Sequence, residues 1–123
     1  MNPSRALLAL LIAAVALAAG AEPLRVGSKR FTESYILGEV LTQSARRAGV
    51  ASQHLPGMGN TAILFEALKG GAIDAYPEYT GTIAREILRE TGNPDLAEIN
   101  RRLAPLGLAA SVPLGFSNGY ALG

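Results

Sequence analysis

The sequence predicts an α/β domain: a largely parallel sheet, helices on both faces, three layers in all. Two observations carry this. Short apolar runs alternate with helix-period segments in the order β-α-β-α-β-α. Glycine or proline marks the junctions, at Gly27, Gly49, Gly70-Gly71 and Pro77.

Each element follows from local chemistry. Leu24-Arg25-Val26 reads as a strand, stopped by Gly27-Ser28, with Lys29-Arg30-Phe31 as the turn. Thr32 or Ser34 is the expected N-cap of the first helix, and Glu33 suits the positive end of its dipole. Ile36, Leu37, Val40, Leu41, Ala45 and Ala48 share one helical face, expected to point inward. Gly38 inside this helix costs about 1 kcal/mol relative to alanine, a cost that close packing against a neighbour would offset. Gly49 sits where a left-handed cap belongs.

Residues 50–55 form a weaker second strand, followed by the glycine-rich turn Pro56-Gly57-Met58-Gly59-Asn60-Thr61. Asn60 or Thr61 caps the next helix, whose inward positions are Ile63, Leu64, Ala67 and Leu68. The third strand is expected at residues 73–76, ended by Pro77, which cannot donate to a ladder. A third helix starts near Gly81 and ends at Gly92, with Ile83, Ile87 and Leu88 inward. Asn93-Pro94 reads as the start of a fourth helix carrying Leu96, Ile99 and Leu103. Residues 108–112 are weakly strand-like, 115–119 read as a turn, and Tyr120-Ala121-Leu122 as another strand.

Composition narrows the function. The 123 residues contain no cysteine and one histidine, His54, against a disulfide framework, a thiolate site or a histidine-rich metal centre. Net charge is +1, and the arginine pairs Arg46-Arg47 and Arg101-Arg102 are isolated, so no nucleic-acid partner is expected. Residues 1–21 read as a cleaved secretory signal: Arg5 for the n-region, an apolar run over 6–18, then Ala19-Gly20-Ala21 as the cleavage site. The mature chain, residues 22–123, is therefore expected in a bacterial periplasm as a monomer.

Four stretches lie at strand ends or just before helices: Ser28-Lys29, residues 57–61, residues 76–82 and residues 117–120. In a parallel sheet these turns gather at one edge, where ligands bind. They carry a cation, backbone N–H groups, hydroxyls and tyrosine rings, but no strong nucleophile–base pair. Binding of a small polar ligand fits this set better than catalysis. Lys29 either meets a ligand carboxylate or is a solvated surface lysine. The 57–61 turn is an anion nest or an ordinary capped glycine turn, without the Lys-Ser/Thr ending of a P-loop. Asp74 is read as capping or exposed, Glu78 as bonding backbone N–H groups in its turn, and His54 as structural or exposed. Tyr76 reads as a partly buried sheet-edge aromatic. Tyr79 lies past the proline, where its ring suits a cation–π contact with a quaternary ammonium.

The segment Tyr76-Pro77-Glu78-Tyr79-Thr80-Gly81-Thr82 resembles a signature of the binding proteins that serve ABC transporters for glycine betaine, choline, carnitine and related osmoprotectants. Gly27-Ser28-Lys29-Arg30-Phe31 with Glu33 and Tyr35-Ile36-Leu37 is similar to that family's opening segment. Leu114-Gly115-Phe116-Ser117-Asn118-Gly119-Tyr120-Ala121-Leu122 resembles a third one. Gly119 stands for a usual threonine and Asn60 for a usual glycine.

The resemblance implies a two-lobed periplasmic-binding-protein fold, of which residues 22–123 are the first lobe, with the second missing. It implies that Tyr79 and Tyr120 wall an aromatic cage, that Lys29 and Thr82 meet the ligand carboxylate, and that Asn118 lies beside the cage. The expected function is non-enzymatic: an extracytoplasmic component binding glycine betaine, choline or carnitine for a membrane permease, without a cofactor. The alternatives are a lobe for an amino acid or anion, an exported hydrolase or transferase, and a non-binding interaction module.

Overall fold

The computed structural model describes residues 22–115. Residues 1–21, Asn118, Tyr120 and the strand expected at 120–122 lie outside them.

Strand β1 (Leu24–Gly27) pairs in parallel with β2 (Ser52–Leu55), in register Leu24↔Ser52 through Gly27↔Leu55. Helix α1 (Thr32–Arg47) makes the crossover, and Gly49 takes its left-handed conformation at φ 84°. On the other edge of β1 the expected third strand shrinks to one parallel bridge, Val26↔Ala75. Gly27 N donates to Ala75 O at 2.9 Å, and Pro77 two residues on has no N–H to continue the ladder.

Helices cover both faces. A Cβ on Gly27 would lie 2.9 Å from Leu64, Ile73 and Met58 atoms, so α2 (Thr61–Lys69) and its flanking loops press on that face. A Cβ on Gly38 would lie 2.5 Å from His54 Nε2 and 3.1 Å from Ser28 Cβ, so α1 lies as close on the opposite face. The expected close packing at Gly38 is thus present. Asn60, of the two candidates, caps α2: its Oδ1 accepts from Ile63 N at 3.1 Å.

The inward face of α1 differs from the reading of its apolar pattern. Ser34, Gly38 and Thr42 are buried, while Ile36 and Val40 are 58% and 54% exposed. Small residues let the helix sit on the sheet, and each buried hydroxyl has a partner. Ser34 Oγ accepts from Lys29 N, Thr42 Oγ1 donates to Gly38 O, and Ser52 Oγ donates to Thr42 O. Neither Thr32 nor Ser34 caps α1. Phe31 holds the cap position with no side-chain bond, because Ser34 is spent on the Lys29 turn.

The third helix is a short α3 (Thr80–Thr82) running into a π-helical turn (Ile83–Ile87). It ends well before Gly92, with Arg89 at φ 58° closing it. Helix α4 (Leu96–Leu103) is capped by Asp95, whose Oδ1 accepts from Glu98 N at 2.8 Å, rather than starting at Asn93-Pro94. Asn93 instead accepts from Arg85. Ile83, Ile99 and Leu103 form a second apolar cluster, flanked by Ile87, Leu88 and Leu108. Residues 108–112 form no strand. Ala110 bonds in both directions to the Asn100 side chain, which takes the place of a sheet neighbour.

Candidate functional site

The site grows from the turn at the carboxyl end of β1. Ser28 N donates to Leu55 O, Met58 N to Ser28 O, and Arg30 N to Gly59 O, lacing this turn to the glycine loop before α2. Positive φ at Gly57 (64°) and Gly59 (145°) lets that loop fold back. Its backbone fixed, Lys29 turns inward: the residue is 7% exposed, which excludes a solvated surface lysine.

Lys29 Nζ donates to Glu78 Oε1 at 2.7 Å and to Thr61 Oγ1 at 3.2 Å. It lies 5.4 Å from the Phe31 ring centroid and 5.8 Å from that of Tyr79. The ammonium is thus held by a carboxylate, a hydroxyl and two aromatic faces. Glu78 Oε1 also accepts from Tyr79 N at 3.0 Å, as expected of a carboxylate in this turn. Tyr79, half-buried, donates its phenol to Glu33 Oε1 at 2.5 Å. Burial first, and Glu78 second, push the Tyr76 phenol above its ordinary range.

A cleft of about 620 Å³ opens beside this cluster, bordered by Lys29, Phe31, Asn60, Thr61, Ile63 and Glu86. That volume suits a small ligand. Of the predicted residues, Lys29 and Tyr79 come together and Lys29 borders the cleft. Tyr79 and Thr82 are not part of its wall; Thr82, half-buried, follows Tyr79 by one helical turn. Asn118 and Tyr120 lie outside the described residues. Phe31 and Glu33 belong to the opening motif but have no site role in the sequence reading. Their spacing to Lys29 around a strand–helix turn is the signal that points to them.

The structure also holds a Ser–His–Glu chain not foreseen in the sequence. Ser28 Oγ lies 2.8 Å from His54 Nε2, and His54 Nδ1 lies 3.1 Å from Glu39 Oε2. Ser28 is 0% exposed, so no substrate reaches its oxygen. The chain ties α1 to both strands and leaves His54 structural. Among the described residues no group of acids and histidines is arranged to hold a metal, and no helix is long and apolar enough to cross a membrane.

Residues 22–123 match the OpuAC family, the substrate binding domain of ABC-type glycine betaine transport systems. The chain belongs to this family. Among OpuAC relatives, it is 38% identical over 73 residues to the glycine betaine-binding protein YehZ of Escherichia coli, covering 58% of this chain and 24% of that protein. It is 34% identical over 108 residues to a glycine-betaine-binding protein of Pseudomonas aeruginosa, covering 85% and 34%. It is also 34% identical over 110 residues to the ergothioneine transport permease/ergothioneine binding protein EgtU of Helicobacter pylori, covering 82% and 19%. The solved structure of apo YehZ from Escherichia coli superposes with a TM-score of 0.55 at 28% identity, over 70% of this chain and 30% of that one. The chain therefore spans about a third or less of the curated relatives it matches. This chain thus belongs to a family of substrate-binding domains, and the expected α/β fold of parallel strands with flanking helices is shared with YehZ.

Proposed function

We propose that this chain is a ligand-binding lobe of an ABC transporter's extracytoplasmic binding component, and that its ligand is a quaternary-ammonium osmolyte such as glycine betaine, choline or carnitine. Tyr79 and Tyr120 are its cage walls, Lys29 and Thr82 take the carboxylate end, and Asn118 lies beside the cage. Residues 1–21 direct it to the periplasm, a second lobe completes the site, and a membrane permease receives the ligand.

One observation carries this reading: the ammonium of Lys29 already rests near the rings of Phe31 and Tyr79 beside a buried carboxylate. That corner stabilises positive charge by aromatic faces, the interaction a trimethylammonium group needs because it cannot donate a hydrogen bond. Relatives named for glycine betaine and for ergothioneine, itself a betaine, support the same ligand class.

Calorimetric titration with glycine betaine, choline, carnitine and glutamate tests the proposal. Binding weaker than micromolar is expected for the quaternary ammonium compounds, because one lobe leaves an open cage. Glutamate is expected not to bind, and Tyr79→Ala to abolish the signal. Glutamate binding as tightly as betaine, or Tyr79→Ala binding like the parent, would refute it. Micromolar or tighter binding by this chain would refute the need for a second lobe.

A further inference from the structure

Glu33 lies in the first turn of α1, 46 residues before the tyrosine it touches. Its Oε1 accepts a hydrogen bond from the Tyr79 phenol at 2.5 Å. The other end of Tyr79 is fixed as well, since its backbone N–H is held by Glu78 Oε1 at 3.0 Å. The residue is thus gripped at main chain and phenol by two carboxylates from different parts of the fold. Lys29, whose ammonium lies 5.8 Å from the Tyr79 ring centroid, is paired with Glu78 at 2.7 Å, while the Glu33 carboxylate meets the phenol.

We infer that Glu33 is a positioning and specificity residue for Tyr79, setting the ring's orientation and raising its attraction for a cationic ligand over a neutral one of the same shape. The inference rests on the quaternary-ammonium reading above. The physical basis is that a phenol donating to a carboxylate shifts electron density onto its oxygen and ring. The face that meets a cation becomes more negative. A role in packing alone would weaken both kinds of ligand equally; an electrostatic role discriminates between them.

The test uses the full chain and two probes: choline, and its uncharged carbon isostere dimethylbutanol, in which carbon replaces the nitrogen. Glu33→Gln preserves shape and removes the charge. It is expected to lower the choline-to-isostere affinity ratio about threefold to tenfold. In a Tyr79→Phe background, which lacks the phenol, Glu33→Gln is expected to leave that ratio unchanged. The NMR shift of Tyr79 Cζ, assigned by its loss in Tyr79→Phe, is expected to move in Glu33→Gln with no ligand present. An unchanged ratio in a chain that binds choline, or an unmoved Cζ signal, overturns the inference and leaves the ligand reading intact. Failure of the parent chain to bind choline or betaine at millimolar concentration overturns the ligand reading, and this role with it.

Discussion

Replacing Gly38 by alanine sets two effects of opposite sign against each other. Removing a glycine from a helix interior gains about 1 kcal/mol in propensity. The new Cβ, however, lies 2.5 Å from His54 Nε2 and 3.1 Å from both His54 Cε1 and Ser28 Cβ. A ring at the end of a free side chain would swing aside cheaply. The His54 ring is pinned at both nitrogens, by Ser28 Oγ at 2.8 Å and Glu39 Oε2 at 3.1 Å. Displacing it forfeits two hydrogen bonds of about 0.5–1.5 kcal/mol each and leaves the Ser28 hydroxyl buried without a partner. Overpacking strain adds about 1–3 kcal/mol if the ring stays. The chain takes the cheaper route, on which the strain outweighs the propensity gain at mid-range, and Gly38→Ala is expected to destabilise by about 1 kcal/mol. Urea unfolding followed by far-ultraviolet circular dichroism measures this. In a His54→Ala background, where the obstructing ring is gone, the same substitution is expected to be neutral or stabilising by up to about 1 kcal/mol. A stabilised Gly38→Ala chain, or an equal penalty with and without His54, would refute the reasoning.

Three further outcomes are expected. Lys29→Met leaves the Glu78 carboxylate buried without its cation, and unfolding experiments should show a loss of about 3–5 kcal/mol, part of it recovered when Glu78→Gln is added. The Arg25 side chain first, and its backbone N–H second, hold the Asp74 carboxyl below its ordinary range. A depressed folded pKa means the contribution is present above the ordinary carboxylate value of about 4 and lost as pH falls through the folded value. The stability advantage of the parent over Asp74→Asn should therefore be seen at neutral pH and vanish in acid. Because burial pushes the Tyr76 phenol up, its proton stays on in the folded chain above the ordinary tyrosine value of about 10. Its contribution is lost as pH rises beyond that value, and Tyr76→Phe should remove an absorbance change that appears only at still higher pH.

Much of the framework was legible in the order of residues. Alternating apolar runs and helix-period segments determined the α/β class and the parallel pairing of β1 with β2. The left-handed Gly49, the Asn60 cap and the stop at Pro77 followed from backbone rules that act over a few residues. The gathering of Lys29 and the tyrosine turn at one strand end followed from sheet topology.

What the sequence could not decide was which side of a helix is inside and which charge meets which. Ile36 and Val40 belong to an apolar stripe, yet α1 buries Ser34, Gly38 and Thr42, because only small side chains let it lie against His54 and Ser28. Lys29 and Glu78 stand 49 positions apart, Glu33 and Tyr79 46, and their pairing exists only once the fold closes the distance. Local rules govern bonds between near neighbours along the chain. Burial and electrostatics depend on separation in space, and that separation is set by the tertiary structure.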